Sequence, residues 1–236
     1  EVAFVMASET PEHDVEIRFF SPRREVAFVG HATVAAHYVR AFANGVPKGK
    51  VRQKWAGGIV EVEVTGRKPA LRVAVHQSPA TFGPVVPAER RAPVLDALGI
   101  SSSSLHPNCP MQVMSKANSR LLIGLRSPDT LESLQPDMDA LIHLTPHVGA
   151  DGFFVFAIKP GSDPLTTESR MFCPVIGVPE DPVSGNAHGM LGVYLLHYGL
   201  LVPADGAAEF VGLQGRFVDR PGRVEQHLVL VGIELA

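Results

Sequence analysis

Residues 180–189, with the sequence EDPVSGNAHG, place two carboxylates, a proline and several small polar residues directly before an apolar segment. The apolar residues of segment 190–196 predict a largely buried helix that begins at the end of this stretch. Ser184 and Asn186 are candidates to cap that helix with their side-chain oxygens. Because the first N–H groups of a helix lack partners within it, the sequence predicts a binding site for a negatively charged oxygen here, with Asp181 at its rim.

A second segment of the same kind lies earlier in the chain, at residues 29–45. It is typical of a short turn followed by a helix that ends at an Asn-Gly pair. A single shift of the sequence superposes Gly30 on Gly185 and His31 on Asn186, and a helix of similar length follows each pair. Two interpretations fit: an internal repeat, which the match favours, or two unrelated helix starts, where small residues are common.

The size and composition of the chain are those of a globular protein that acts on small molecules. Its 236 residues suffice for two modest domains or one large one, and 45% apolar against 19% charged residues argues against a disordered chain. The net charge of -3 and the lack of any run of Lys or Arg argue against binding to nucleic acid or to a membrane surface. We therefore expect a small-molecule partner.

Membrane spans, disulfides and metal sites find little support in the sequence. No apolar stretch is long enough to cross a bilayer and no signal peptide is recognisable, which favours a cytoplasmic location. Cys109 and Cys173 lie in no metal-binding spacing, and we expect both to be reduced, buried thiols. His31 and His37 are close in sequence but belong to no dense ligand pattern, so no metal is predicted.

Turn signals and apolar alternation divide the chain into two halves. Prolines concentrate in residues 77–93, which predicts a crossing between domains, so that the first half spans residues 1–80 and the second residues 81–236. No glycine-rich loop supports a Rossmann-type dinucleotide domain. Each half is predicted to be a sheet around one principal helix, and the last strand is a candidate to return to the first half.

In the first half, strands are predicted at residues 1–7, 15–21, 50–55, 59–64 and 71–75, with a hairpin turn at residues 57–58. Helices at residues 94–98 and 138–147, and strands at residues 111–115, 120–125, 152–158, 209–213 and 224–231, are predicted in the second.

Three segments together resemble the PhzF-like phenazine-biosynthesis isomerase family: GHATVAAHYVRA from Gly30, RMFCPVIGVPEDPVSGNAHG from Arg170, and LQGR at residues 213–216. Their order also matches, and the likeness extends over nearly all of the chain. The resemblance implies an α+β fold similar to that of diaminopimelate epimerase, with two pseudo-symmetric halves, each a curled, mostly antiparallel sheet around a central helix. It also implies an active site in the cleft between the halves, and a homodimer.

The resemblance assigns roles to particular residues. The family's catalytic glutamate corresponds to Glu1 in the strand EVAFV, and its first Gly-His pair corresponds to Gly30 and His31. The family's Asp-Pro-Val-Thr-Gly-Ser-Ala motif corresponds to residues 181–187, so Asp181 is implied as a catalytic residue. Within that motif serine replaces threonine and asparagine replaces serine. Both replacements keep a side chain that can hydrogen-bond, so we expect the ligand site to survive with altered substrate preference.

These residues would support isomerisation without a cofactor. A base must remove a C–H proton, an acid must return a proton elsewhere, and the enolate-like charge between the two steps must be stabilised. We expect Glu1, with its pKa raised by burial, to serve as both base and acid. The residues implied to assist it are His31 and Asp181, and the amides implied to bind a small carboxylate substrate are those of Gly30, Gly185 and Asn186.

Departures from the family leave other functions open. The sequence begins at Glu1 without a methionine, whereas family members carry further N-terminal strands, so we expect a truncated or incompletely recorded gene product. A non-catalytic carboxylate-binding protein or remnant, favoured by that difference and by Asn186, is the second hypothesis. A two-base epimerase or racemase of an amino acid is the third. Thiol chemistry is disfavoured for it because no cysteine lies at the start of either helix.

Overall fold

The computed structural model describes residues 2–21, 24–43, 45, 49–116 and 118–229. The chain divides into two compact units, Glu1–Ser78 and Pro79–Ala236. Each unit is a mostly antiparallel sheet with helices, which confirms the α+β class predicted from the sequence. Across the described residues, no helix combines the length and the apolar character that a membrane crossing requires.

The first unit is a six-stranded sheet with one long helix. Its elements are β1 Val2–Ala7, β2 Val15–Phe20, β3 Glu25–Val26, α1 Gly30–Ala43, β4 Gly49–Trp55, β5 Gly58–Arg67 and β6 Ala70–Val75. The strand order is β1-β2-β4-β5-β6 with β3 beside β2, and β2 pairs in parallel with β4. Val15, Ile17 and Phe19 alternate into a small core, which is the period of a strand with one buried face.

The hairpin between β4 and β5 turns at Ala56 and Gly57, one residue earlier than predicted. Gly58 already pairs with Trp55 and therefore belongs to β5. A Cβ at position 57 would collide with the indole ring of Trp55, so any other residue there would require that ring to move. The sequence identified the turn residues but not which of the two glycines pairs across the hairpin.

The second unit is an eight-stranded sheet with helices on both faces. Its elements are β7 Thr81–Val85, α2 Ala92–Leu98, β8 Gln112–Lys116, β9 Asn118–Leu125, α3 Asp129–Ser133, α4 Met138–Val148, β10 Phe153–Ile158, β11 Thr166–Cys173, β12 Val178–Asp181, α5 Gly185–His197, β13 Ala207–Gln214 and β14 Gly222–Val229. The strand order is β14-β13-β11-β10-β9-β8-β7. The first part of β11 pairs in parallel with β13, and its last part pairs with β12. The two strands β12 and β13 therefore lie one after the other along the same edge of β11, and α5 begins shortly after β12.

The central strand β10 is buried on both faces. Phe153 and Val155 belong to a core that includes residues of α2, α3 and α4, whereas Phe154 and Phe156 belong to a core that includes residues of α5. Because helices cover both faces, this strand is a continuous apolar run without alternation. The helices predicted at residues 94–98 and 138–147 are present as α2 and α4, and together with the short α3 they cover the face opposite α5.

The start of the second unit contains a strand that was not predicted, and the end of this unit leaves one prediction untested. Within residues 77–93, predicted to be an irregular crossing, the structure has the edge strand β7. Its pairing with β8 shifts register between Phe82 and Val85, and Pro84, which has no N–H, lies in that shift. At the other end β14 pairs with β13. A return of the chain to the first half would involve residues 230–236, which lie outside the described residues, and it stays a prediction.

Candidate active site

The loop and first helical turn at residues 181–187, the α5 entrance, contain residues predicted to bind a carboxylate. Ser184 caps the helix as predicted, because its Oγ accepts the N–H of Ala187 at 3.2 Å. Asn186 lies within the first turn, and its Nδ2 donates to the backbone oxygen of Lys116 at 2.8 Å. The predicted capping role of Asn186 is therefore wrong, since the helix has already begun before it. Its side chain joins α5 to the end of β8.

Gln214 forms hydrogen bonds with both ends of the loop that precedes α5. Its Nε2 donates to the backbone oxygen of Asp181 at 2.6 Å, and its Oε1 accepts the N–H of Ser184 at 3.1 Å. Inside the loop, Oδ1 of Asp181 accepts the N–H of Val183 at 3.2 Å. Only 3% of Gln214 is exposed, so a lost partner here would be costly. A side chain to which the sequence analysis gave no role thus sets the geometry of the loop.

The glycine after Gln214 also shapes this loop. Gly215 has a φ of 91°, and a Cβ there would collide with the backbone oxygens of Pro182 and Arg220. Residues 213–216, which carry part of the family resemblance, therefore hold the α5 entrance in place. The signal in the sequence is a Gln-Gly pair that ends an apolar strand.

His188, in the first part of α5, is a fully buried neutral histidine. Its Nδ1 donates to the backbone oxygen of Ser184 at 2.7 Å, which leaves Nε2 as an acceptor 3.5 Å from the Oγ of Ser169. Burial lowers the pKa of His188 to about 4. The ring packs edge-on against Phe154, and a Cβ on Gly212 would collide with it. His188 therefore supports the capping residue and carries no charge at neutral pH.

Glu180 forms a bidentate ion pair with Arg170. The Nε–Oε1 distance is 3.0 Å and the Nη2–Oε2 distance is 2.7 Å, and both side chains are close to 10% exposed. Arg170 also donates from Nη1 to the backbone oxygens of Leu131 and Leu134. These contacts join β12 to β11 and to α3, and they fix the position of the residue that follows Glu180, the predicted catalytic Asp181.

The start of the first helix at residues 29–32, the α1 entrance, lies in the first unit. The helix begins at Gly30, as predicted. The N–H and the Oγ1 of Thr33 both donate to the backbone oxygen of Val29, at 2.9 Å and 3.0 Å. The side chain of His31 is exposed, in the position of a residue that could contact a ligand outside the helix.

His37, on the same helix, has the opposite environment to His31. It is buried, its Nδ1 accepts from Arg40 at 3.2 Å, and its Nε2 therefore donates to the Oε1 of Gln53 at 2.9 Å. Burial is the main reason that its pKa is lowered. His37 anchors α1 to the sheet, and the two histidines are not a ligand pair.

Gly30 and Gly185 are the first residues of α1 and α5, and the space around each of them is open. Neither has a positive φ, and a Cβ on either would meet no atom of the described residues within 4 Å. At Gly192, by contrast, a Cβ would press against Leu228 and Phe210 at 2.9 Å. The fold therefore does not require glycine at the two helix starts, where its absence of a side chain leaves the backbone open to a ligand.

The two cysteines are free and buried, as predicted. Burial raises the pKa of Cys109 to about 12 and that of Cys173 to about 11, so both thiols are protonated at neutral pH. This argues against a thiolate as the base of a racemase. In the part of the chain that the structure describes, no three His, Cys, Asp or Glu side chains are grouped as metal ligands.

The residues predicted for catalysis and binding fall into three groups. The α5 entrance brings together Asp181, Gly185 and Asn186, and the α1 entrance brings together Gly30 and His31. Glu1 lies outside the described residues. The approach of the two entrances to each other, and the individual catalytic roles, stay predictions.

Comparison with known proteins identifies relatives over the full fold. The family model of phenazine biosynthesis-like proteins matches residues 1–232. An uncharacterized isomerase of Clostridium acetobutylicum is 37% identical over 225 residues, which are 95% of this chain and 74% of the relative. A trans-2,3-dihydro-3-hydroxyanthranilate isomerase of Pseudomonas fluorescens is 28% identical over 218 residues, 90% of this chain and 73% of the relative. The crystal structure of a PhzF-family protein from Bacillus anthracis matches with a TM-score of 0.82 and 21% identity, over 96% of this chain and 75% of that one. The fold that the resemblance implied is confirmed.

Proposed function

The chain belongs to the phenazine biosynthesis-like family of isomerases, and we propose that it moves a proton between two carbons of a small carboxylic acid without a cofactor. The observation that carries the proposal is the pair of open glycines, Gly30 and Gly185, each at the start of a helix. The relative from Pseudomonas fluorescens is named for a cyclic, amino-bearing carboxylic acid, and we propose a substrate of that class for this chain.

The substrate carboxylate binds at the α5 entrance in this proposal. The N–H groups of Gly185 and Asn186 are the first of α5, and the positive end of the helix favours an anion there. Gln214 holds the preceding loop at two points, so these donors need little rearrangement when the substrate binds. Preorganised donors of this kind stabilise negative charge most effectively.

The α1 entrance supplies the opposite side of the site in the proposal. Gly30 opens the backbone at the start of α1, and His31 presents an exposed ring beside it. The facing arrangement of the two entrances is itself part of the proposal, because it follows from the family resemblance.

The proton transfer uses one carboxyl group twice. The Glu1 carboxylate takes the proton from a substrate C–H, and the electron pair of that bond spreads into the conjugated acid as an enolate-like charge. The Glu1 carboxyl then returns the proton to a second carbon, so that the substrate and the enzyme keep their overall protonation. Asp181 and His31 orient the substrate during both steps.

Exchange in heavy water tests this mechanism. The protein is incubated with trans-2,3-dihydro-3-hydroxyanthranilate and with a set of cyclic amino-carboxylic acids, and carbon-bound deuterium is measured by NMR and mass spectrometry. We expect enzyme-dependent deuterium uptake that falls by about 100-fold or more in Glu1→Gln and in Asp181→Asn. Glu9→Gln, at an exposed glutamate of the same unit, is the matched control and keeps full exchange.

Other outcomes separate the rival functions. Binding of an acid without any deuterium uptake favours a non-catalytic carboxylate-binding protein. Exchange that survives Glu1→Gln but is lost in Asp181→Asn favours a two-base racemase.

The Gly185→Ala variant tests where the carboxylate binds. A methyl group at this position meets open space in the protein, so folding is unaffected, but it would stand where the substrate approaches the backbone. We expect KM to rise by about 10-fold with an unchanged unfolding midpoint, which corresponds to about 1.4 kcal/mol of lost binding. An unchanged KM would place the carboxylate elsewhere.

A further inference from the structure

Lys116, the last residue of β8, lies beside the α5 entrance. Its backbone oxygen accepts the Nδ2 of Asn186 at 2.8 Å, so the end of β8 contacts the first turn of α5. The two residues are 70 positions apart in the sequence. Lys116 belongs to none of the sequence motifs that carry the family resemblance.

The side chain of Lys116 lies on the face of the sheet that α5 covers. Alternate residues of a strand share a face, and two residues of β8 define this one. Gln112 accepts the hydroxyl of Tyr198 at 2.7 Å, and Met114 belongs to the core that includes α5 residues. Lys116 is the next residue in this series. Its side chain therefore extends along the sheet on the side where α5 begins.

The charge of Lys116 is partly buried and has no counterion among the described residues. Among the described residues, no carboxylate lies within 4.0 Å of its Nζ. The side chain is partly buried, and this burial lowers its pKa to about 8. The titratable and charged groups on the same face of the sheet or at its rim include Arg120 of β9, Cys173 of β11, Asp181 of β12 and His188 of α5, together with Cys109, Tyr194 and Tyr198 in the core on that face.

Arg120 makes this face more positive. It is only 6% exposed, its Nη1 donates to the backbone oxygen of Ser119 at 2.6 Å, and its Nε has no partner among the described residues. Its side chain packs beside Cys173, as the space around Gly152 shows, which places it on the α5 face as well. Two cations on the same partly buried face of a sheet are costly unless an anion joins them.

We propose that Lys116 forms an ion pair with the anionic group of the substrate at the α5 entrance, with Arg120 as a second positive charge behind it. This rests on the proposed function, which makes the α5 entrance the carboxylate site. It adds a specificity: the enzyme selects acids over the corresponding amides, because a neutral group leaves Lys116 without a counterion.

Titration of the lysine itself tests the ion pair. Lysines are dimethylated with ¹³C-formaldehyde, and the Lys116 signal is identified by its loss in Lys116→Arg. The two probes are sulfate and anthranilate, which keeps the ring, amino group and carboxylate of the relative's named substrate. We expect saturating anthranilate to raise the pKa of Lys116 by about one unit, because an anion stabilises the ammonium form. The signal of Lys159, beyond the opposite end of β10, does not shift relative to chloride of equal ionic strength.

The outcomes of this titration are decisive. A pKa of Lys116 that neither probe changes would overturn the proposal. A shift with sulfate but not with anthranilate would also overturn it, since the site would then attract simple ions and not the substrate class.

Variants at position 116 give a second readout. We expect Lys116→Met to weaken anthranilate binding by about 10-fold, Lys116→Arg to stay within about 3-fold of the wild type, and Lys159→Met to have no effect. With a turned-over substrate, Lys116→Met raises KM and leaves kcat nearly unchanged, as expected for a residue that binds the carboxylate in the ground and transition states alike.

The two proposals fail in different ways. If the wild type takes up no deuterium from any acid, the proposed function fails, while the anion-dependent titration of Lys116 can still be observed. If the wild type is active and Lys116→Met keeps the wild-type KM, the role of Lys116 fails alone.

Discussion

The two helix entrances begin with the same open glycine, but their surroundings differ. At the α5 entrance, the capping Ser184 is held through its N–H by Gln214 and through its carbonyl by His188. At the α1 entrance, the described contacts are those of Thr33 to Val29, and His31 is exposed. We infer that Gln214 and His188 together make the α5 entrance rigid.

The same contrast appears in two buried glutamines, one in each unit. Gln53 of the first unit is fully buried and contacts His37, within the body of α1. Gln214 of the second unit contacts the loop before α5. One glutamine therefore anchors a helix and the other shapes a helix start. A change at Gln214 should affect activity and stability together, whereas a change at Gln53 should affect stability alone.

Gln214→Ala is expected to have the largest effect. The variant leaves the N–H of Ser184 and the backbone oxygen of Asp181 without partners in a buried place, which costs about 3 kcal/mol of unfolding free energy. The loop shifts as a result, and we expect kcat/KM to fall by about 100-fold. Urea unfolding and deuterium exchange at equal folded concentration measure the two effects. Gln53→Ala is the matched variant, and an equal loss of activity there would break the comparison between the units.

Acid should destabilise the protein through His188. Its pKa is about 4 when folded and 6.5 in its ordinary state, so between these pH values the unfolded chain binds more protons. The unfolding free energy therefore falls as the pH drops through this window, by up to about 3 kcal/mol at pH 4, and does not depend on His188 above pH 7.

Urea unfolding at several pH values measures this loss. His188→Asn should flatten the dependence between pH 6.5 and 4. His37, whose pKa is lowered in the same direction, contributes a loss of the same sign in the first unit. A profile that keeps its slope in His188→Asn would show that other groups cause the acid sensitivity.

Two glycine variants distinguish a glycine that the packing requires from a glycine that lies in open space. At Gly192 a Cβ presses on Leu228 and Phe210, so Gly192→Ala should lower the unfolding free energy by about 1–3 kcal/mol. At Gly30 the space is open, and Gly30→Ala should be neutral or stabilising by about 0.5 kcal/mol, because alanine favours a helix. Thermal and urea unfolding provide the measurement. A destabilised Gly30→Ala would mean that the fold itself needs this glycine.

Among the destabilising variants, Ser184→Ala should have the smallest effect on stability. It removes the bond from Oγ to the N–H of Ala187, which costs about 1 kcal/mol as for other helix caps. Ser184→Thr keeps the hydroxyl and should restore most of this loss. The unfolding free energies of the wild type and the two variants measure this contribution. Equal values for the wild type and Ser184→Ala would show that the cap does not stabilise α5.

Local signals in the sequence predicted much of the fold. The starts of α1 and α5 at Gly30 and Gly185, and the cap at Ser184, follow from turn residues and apolar periodicity within one segment. Strand β7 was missed because its proline suggested a break, although an edge strand tolerates it. The pattern also predicted α2 and α4, but the apolar run of β10 does not reveal which of its two faces each helix covers.

The sequence by itself determined the two helix starts, the α+β class and the family, because these depend on residue types that are close together in the chain. The tertiary structure alone decided that Gln214 holds the loop at Asp181, that Asn186 contacts β8, and that Lys116 is partly buried. The partners of these contacts are 33 and 70 residues apart, so no local pattern can join them. Burial is likewise a property of the packed sheet and helix, and it lowers the pKa values of Lys116 and His188.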